Sequence, residues 1–265
     1  MNEVDFLFQT QDKTFPSPPD VAGPFEEKYA SWRHRSRWDA TLVWRVRHHL
    51  DPRPGDALVD VGCGTGYLCS ALERIGVVCV GVDRSPTGTR VLAERGGSAV
   101  VGEMLHLPFT DDSFQFAVSS HVLEYTKAPA ALLAEVRRVL RPGGRAYVLV
   151  SRQPERVILP LRPVVRHFDR VGQRQAHLDV DELIAAAREA GLDPVASGMS
   201  GHLIMVVAAV IHRITSLVSR DVADGFLFPL LALDDRLAGL AGGGVDVWAV
   251  VQRPLKGRQD ADDTR

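Results

Sequence analysis

Ala57-Leu58-Val59-Asp60-Val61-Gly62-Cys63-Gly64-Thr65-Gly66 runs from a short apolar segment straight into glycines at every second position. Tyr67 to Ile75 follows with apolar residues at helical spacing, so the order is strand, glycine turn, helix. Glycine takes positive φ at little cost and has no Cβ to keep a ligand away, so a small polar ligand can lie across this turn. The spacing is not G-x-G-x-x-G, because the last position of that pattern falls on Tyr67. That argues against a nicotinamide or flavin dehydrogenase.

Outward from this unit the pattern repeats. Val77–Asp83, Ser98–Glu103, Phe114–Ser120 and Gly144–Val150 read as further strands, with helical stretches between most of them. The helix Ala128–Leu140 stops at Arg141-Pro142-Gly143-Gly144, a proline and glycine end signal. Upstream, Trp38, Leu42, Val46 and Leu50 set a lead-in helix within 32–50, broken by Asp51-Pro52-Arg53-Pro54-Gly55. Downstream, a helix over Val180–Ala190 leads to a strand near Val195, and Asp246–Gln252 is the last strand. Such alternation predicts a parallel sheet with helices on both faces. Residues 1–24 and 253–265 read as flexible ends around one domain over 25–252. Two segments, about 151–176 and 200–243, do not fit the alternation and read as helical cap insertions. Each leaves the carboxyl edge of a strand, where open α/β folds bind ligands, so both should roof the active face.

The 265 residues are 45% hydrophobic and 24% charged, as in ordinary soluble domains, which excludes disordered, collagenous and coiled-coil chains. A net charge of −2 gives no global reason to bind nucleic acid or an anionic membrane. Cys63, Cys69 and Cys79 lack CxxC spacing, so neither a disulfide framework nor a zinc site is expected, and a reducing cytosol fits. The N-terminus carries acids where a signal peptide needs bases, and the longest apolar run, Leu203–Ile211, is too short for a bilayer. A cytoplasmic protein with no spanning segment is the expectation.

Asp83, closing the second strand, is placed to accept hydrogen bonds from vicinal ribose hydroxyls, which implies an adenosine-containing ligand. LVDVGCGTG (58–66), GVD (81–83), GEMLHLPFTDDSF (102–114), SSHVLEY (119–125) and VLRPGG (139–144) together resemble the class I S-adenosylmethionine-dependent methyltransferases of the broad small-molecule type. The resemblance covers residues 57–150 closely and 177–199 loosely. It implies a Rossmann-like, seven-stranded, mostly parallel sheet with the last strand antiparallel, S-adenosyl-L-methionine as cofactor and S-adenosyl-L-homocysteine as product. Carried onto this sequence, it has Asp60, Gly62, Cys63, Gly64 and Gly66 forming the cofactor loop, Asp83 with its neighbour Arg84 at the ribose, and Glu103 with Met104 at the adenine. Ser119 and Ser120 would border the methionine part. Glu103 stands for the usual Asp, Gln115 for the Asp of FDxV, and Tyr125 for a His that often follows the Glu.

His121 and Glu124 follow the fourth strand, where the transferable methyl should lie, so either is a candidate general base. The alternative is a helix-start residue in a satisfied hydrogen bond. His167, beside Asp169 in the first insertion, is a third candidate. Tyr29 and Arg33 are placed to close over the methionine end. Arg162, Arg166, Arg170 and Arg174 recur every four residues, either as a solvated face or as a grip on an anionic acceptor. The apolar stretches 202–217 and 226–240 suit a lid, a homodimer face or a shallow membrane contact. No carboxylate cluster after the fourth strand suggests a metal, and none is expected. The reading is methyl transfer to an O or N atom of a small-molecule acceptor, in specialised metabolism by analogy. The alternatives are a lipid- or glycan-linked acceptor at a membrane surface, and a protein that binds S-adenosylmethionine without catalysis.

Overall fold

In the computed structural model, residues 29, 37–152, 177–201, 233 and 244–255 are described. Seven strands form one sheet: β1 (Ala57–Val61), β2 (Val78–Asp83), β3 (Ser98–Val101), β4 (Phe114–Ser120), β5 (Leu140–Ser151), β6 (Asp193–Ser200) and β7 (Asp246–Gln252). Their spatial order is β3-β2-β1-β4-β5-β7-β6. β1 to β5 pair in parallel, and β7 lies antiparallel between β5 and β6. This is the α/β sheet that the alternation foretold, with the antiparallel last strand that the resemblance implied.

Strand alternation sends successive side chains to opposite faces, and each face acquires its own core. Val59, Val61, Val80, Val82, Ala117 and Val148 meet Leu132, Leu133 and Val136 of α4 (Pro129–Val139) and Leu183 of α5 (Val180–Glu189). Leu58, Val118, Tyr147 and Val250 meet Val46 and Leu50 of α1 (Arg37–Leu50) and Leu68 and Leu72 of α2 (Tyr67–Glu73). All five residues of β1 are buried, as a central strand covered on both faces requires. α3 (Pro86–Glu94) is capped by Ser85, whose hydroxyl accepts the Gly88 N–H at 3.1 Å, with Pro86 opening the helix. α5 carries a full capping box between Asp179 and Glu182.

Three local readings change. β3 ends at Val101 instead of Glu103, because the Gly102 N–H turns to the Asp83 carbonyl and Glu103 bridges His106 in a tight turn. β5 begins at Leu140, not Gly144: Phe114 pairs with Leu140 and Phe116 with Arg145, so residues 141–144 bulge within the strand instead of preceding it. Cys69 and Cys79 form a disulfide where none was expected, because helix period and strand alternation turn both side chains into the same interior.

The chain walks outward from β1 to β3 and then returns across it to β4. Ligands of open α/β sheets bind where the order reverses, outside the carboxyl ends of the strands. Here those ends are Gly62 and His121. The necks of both insertions stand on the same edge. Arg152 pairs with Asp179 at 3.1 Å across the first, while the Arg152 N–H reaches the Val245 carbonyl at 2.9 Å. At the second, Ser200 lies opposite Asp246, and Gly244 is so close that a Cβ would stand 2.6 Å from the Ser200 carbonyl oxygen. The cap expectations for 153–176, 202–232 and 234–243, with the arginine stripe, His167 and Asp169, lie outside the described residues. So do Arg33, the arm 1–24 and the tail from 256.

Candidate functional site

The glycine loop is stapled to the end of β2. The Gly62 and Cys63 N–H groups donate to the Val82 carbonyl at 2.7 and 3.1 Å. The buried Asp83 carboxylate takes the Gly64 N–H on Oδ2 at 2.8 Å and the Ser85 N–H on Oδ1 at 2.9 Å. Asp83 therefore sets the loop's shape and links it to the start of α3, a structural duty that the sequence did not reveal.

The three alternate glycines, all at positive φ (75°, 53° and 72°), do different work. A Cβ on Gly62 would strike Val122 at 2.3 Å, and one on Gly66 would strike Leu92 at 2.4 Å, so both positions serve packing. On Gly64 the nearest atoms belong to Tyr29, with the phenol oxygen at 3.2 Å. Gly64 is thus the glycine of the three that meets the Tyr29 ring instead of an aliphatic core side chain. Tyr29 lies over the loop and against Gly88. Burial, with Asp83 next, pushes its hydroxyl pKa far above the phenol range. Cys63 is likewise held as a neutral thiol, raised by burial and by the Asp60 and Asp83 carboxylates.

Asp60 is buried at the end of β1, between Gly81 and Val118 in register. Ser119 faces Val61 across the β1–β4 pair, and its Oγ is buried with no hydrogen-bond partner among the described residues. An orphaned hydroxyl beside the glycine loop and an acid suits a polar, adenosyl-type ligand and is costly without one. Glu103 is exposed on the turn after β3, and Met104 packs against the core from that turn. Arg84 is exposed and Ser120 is half-buried at the tip of β4.

On the acceptor side the structure joins two residues that the sequence singled out. His121 Nδ1 lies 3.1 Å from Glu124 Oε1, with the imidazole 35% exposed and the carboxyl fully buried. Glu124 sits on a 3₁₀ turn (Leu123–Tyr125). Its Oε1 also accepts the Ser151 N–H at 2.7 Å, and Ser151 Oγ is 3.3 Å from the same Nδ1. Ser151 was missed because a serine ending a strand has no signature of its own. Only the register of β4 on β5 brings it here. Among the described residues no cluster of His, Cys, Asp and Glu could hold a metal ion. No described helix is long and apolar enough to cross a membrane.

Residues 59–148 match the family model described as a methyltransferase domain. This stretch of the chain is a methyltransferase domain by that match. A demethylmenaquinone methyltransferase of Corynebacterium kroppenstedtii is 39% identical over 108 residues, which is 40% of this chain and 47% of that protein. The chain thus matches about half the length of this curated relative. The domain also superposes on geranyl diphosphate C-methyltransferase of Streptomyces coelicolor with a TM-score of 0.56 at 20% identity, over 91% of this chain and 90% of that one. The [4+2]-cyclase SpnF superposes as well, at a TM-score of 0.58 and 21% identity, covering 88% and 93%. One such neighbour is named for a cyclisation, so the methyltransferase-domain fold does not by itself name a reaction.

Proposed function

We propose that this chain is an S-adenosylmethionine-dependent methyltransferase acting on a small-molecule acceptor. The observation that carries the reading is the loop itself: Gly64, at positive φ beneath Tyr29, is tied through its N–H to a buried acid at the end of β2. Asp83 and the Gly62–Gly64 backbone would hold the ribose and methionine part, Glu103 and Met104 the adenine, and Ser119 would find its missing partner. Asp60, Cys63, Gly66, Arg84 and Ser120 shape this surface, and Tyr29 would cover it. Bound there, S-adenosylmethionine supplies an electrophilic methyl on an excellent leaving group. The protein then has to align acceptor, methyl carbon and sulfur and to exclude water, which contributes about 7–11 kcal/mol in well-oriented systems. The names of the demethylmenaquinone and geranyl diphosphate enzymes support a small organic acceptor over a macromolecule. Transfer to oxygen or nitrogen, an anionic acceptor, a homodimer and a cytoplasmic setting belong to the same proposal.

Isothermal titration with S-adenosylmethionine, S-adenosylhomocysteine and NADH tests it. The expected result is micromolar binding of both adenosyl ligands and none of NADH. Asp83→Ala should lose the binding, and Glu103→Ala, which changes an exposed residue, should weaken it about tenfold while the fold is kept. Absence of adenosyl binding to the unaltered protein would overturn the reading.

A further inference from the structure

We propose that Glu124 and Ser151 hold His121 as the proton acceptor of the reaction, and that the acceptor is therefore a hydroxylated compound, a phenol or enol, which must lose its O–H proton. This rests on the methyltransferase reading above. A fully buried carboxyl is costly unless it is bonded. Here Glu124 Oε1 is fixed by the Ser151 main chain at 2.7 Å and aimed at His121 Nδ1 at 3.1 Å. The carboxylate places the ring proton on Nδ1, so the lone pair of the neutral imidazole is on Nε2. Ser151 Oγ, 3.3 Å from the same nitrogen, fixes the plane of the ring.

The backbone is anchored as firmly. The His121 N–H donates to the Leu149 carbonyl at 2.8 Å, and the next residue, Val122, fills the space left by Gly62. An imidazole held this way, one-third exposed beside the cofactor loop, is equipped to accept a proton during transfer. An amine needs no such device, since its lone pair is available once it arrives deprotonated. A hydroxyl is a weak nucleophile until its proton leaves. Among the described residues, charged groups at this edge include Asp60, Asp83, Arg84, Arg152, paired with Asp179, and Asp246, opposite Ser151 on β7.

The step balances without a further reagent. His121 Nε2 takes the hydroxyl proton as the acceptor oxygen bonds the methyl carbon. The carbon–sulfur bond breaks with its electron pair on sulfur, turning a sulfonium into a neutral thioether. The new imidazolium is stabilised by Glu124 and passes its proton to water. Glu124 and Ser151 are positioning residues, since they act through the ring.

Two readouts test this on full-length protein that binds S-adenosylmethionine by titration. Nitrogen-15 NMR of the histidines, assigned with His121→Asn, should show neutral His121 as the Nδ1–H tautomer. In Glu124→Gln the midpoint of its titration should fall and the tautomer should revert toward Nε2–H; Ser151→Ala should broaden the balance. In the second readout, 1-naphthol and 1-naphthylamine, which differ only in the acceptor group, are compared for S-adenosylhomocysteine formation. Turnover of the naphthol that falls at least 100-fold in His121→Asn with adenosyl binding intact supports the proposal. So does an acid limb of the pH profile that moves down in Glu124→Gln. Preference for the amine, or an Nε2–H tautomer in the unaltered protein, overturns it, and if neither probe is turned over the tautomer decides. Loss of adenosyl binding itself would instead sink the underlying reading.

Discussion

His121 holds a left-handed backbone, φ 55°, with a side chain whose Cβ makes that conformation cost about 1–2 kcal/mol. Strain of this kind persists where the surroundings over-determine it, and here the Leu149 carbonyl and the Gly62–Val122 contact do so. His121→Gly removes the strain together with the imidazole. Its unfolding free energy in urea should match or exceed that of the unaltered protein by up to about 1 kcal/mol, while methyl transfer collapses. A large loss of stability would instead make the histidine a structural residue. His121 and Glu124 were legible because a polar SSHVLEY follows an apolar strand directly. Their partnership was not, since it depends on a tight turn closing at Glu124 and on a serine about thirty residues downstream that no local pattern marks.

At the scale of elements, the glycine loop shows how far spacing can be trusted. The sequence marked Gly62, Gly64 and Gly66 alike, yet Gly66 begins α2 in the left-handed region and admits Leu92 of α3 to within 2.4 Å of where a Cβ would be. Gly66→Ala should therefore destabilise the fold by about 1–3 kcal/mol through overpacking alone, read as a lower urea midpoint with an unchanged slope. Gly55→Ala, with φ +87° but nothing within 4 Å, is the control that carries backbone strain without the clash. Strand starts and ends were readable to within a few residues because apolar runs end at Gly, Pro and Asp. The extension of β5 back to Leu140 was hidden, since a strand interrupted by a bulge looks like a loop. The Cys69–Cys79 pair was hidden for a related reason. A helix and a strand must both be oriented before two cysteines ten residues apart are known to face each other.

Across the whole molecule, the layer of α1 on β5 and β7 contributes one part of the pH dependence of stability. His49 of α1 stacks on Tyr147 of β5 at 5.5 Å and packs against Trp248 of β7 at 4.4 Å. Burial, then His48 and Arg45, lowers its pKa to about 4 from an ordinary 6.5. The unfolded chain therefore binds a proton between pH 6.5 and 4 that the folded chain refuses, so stability is lost as pH falls through that window. Thermal unfolding measured from pH 7 to pH 4 should show this decline, and His49→Phe should flatten it. An unchanged slope would show that His49 does not govern it. The seven-strand alternation was plain in the sequence because each strand and helix carries its own period. The order that sets β4 beside β1 is a property of the assembled sheet.

The pinned necks of the two inserted stretches carry a consequence for how such a chain changes over generations. Arg152 with Asp179 closes one neck, and the Ser200–Asp246 pairing with Gly244 closes the other, so each stretch leaves and rejoins the sheet at positions already fastened beneath it. Lengthening a loop whose ends are fixed costs only about 0.6 kcal/mol per doubling. Changes in length between the fastened necks therefore leave the strand register on either side undisturbed. Descendants of one ancestral sheet can in this way exchange what lies between the necks while inheriting the same floor.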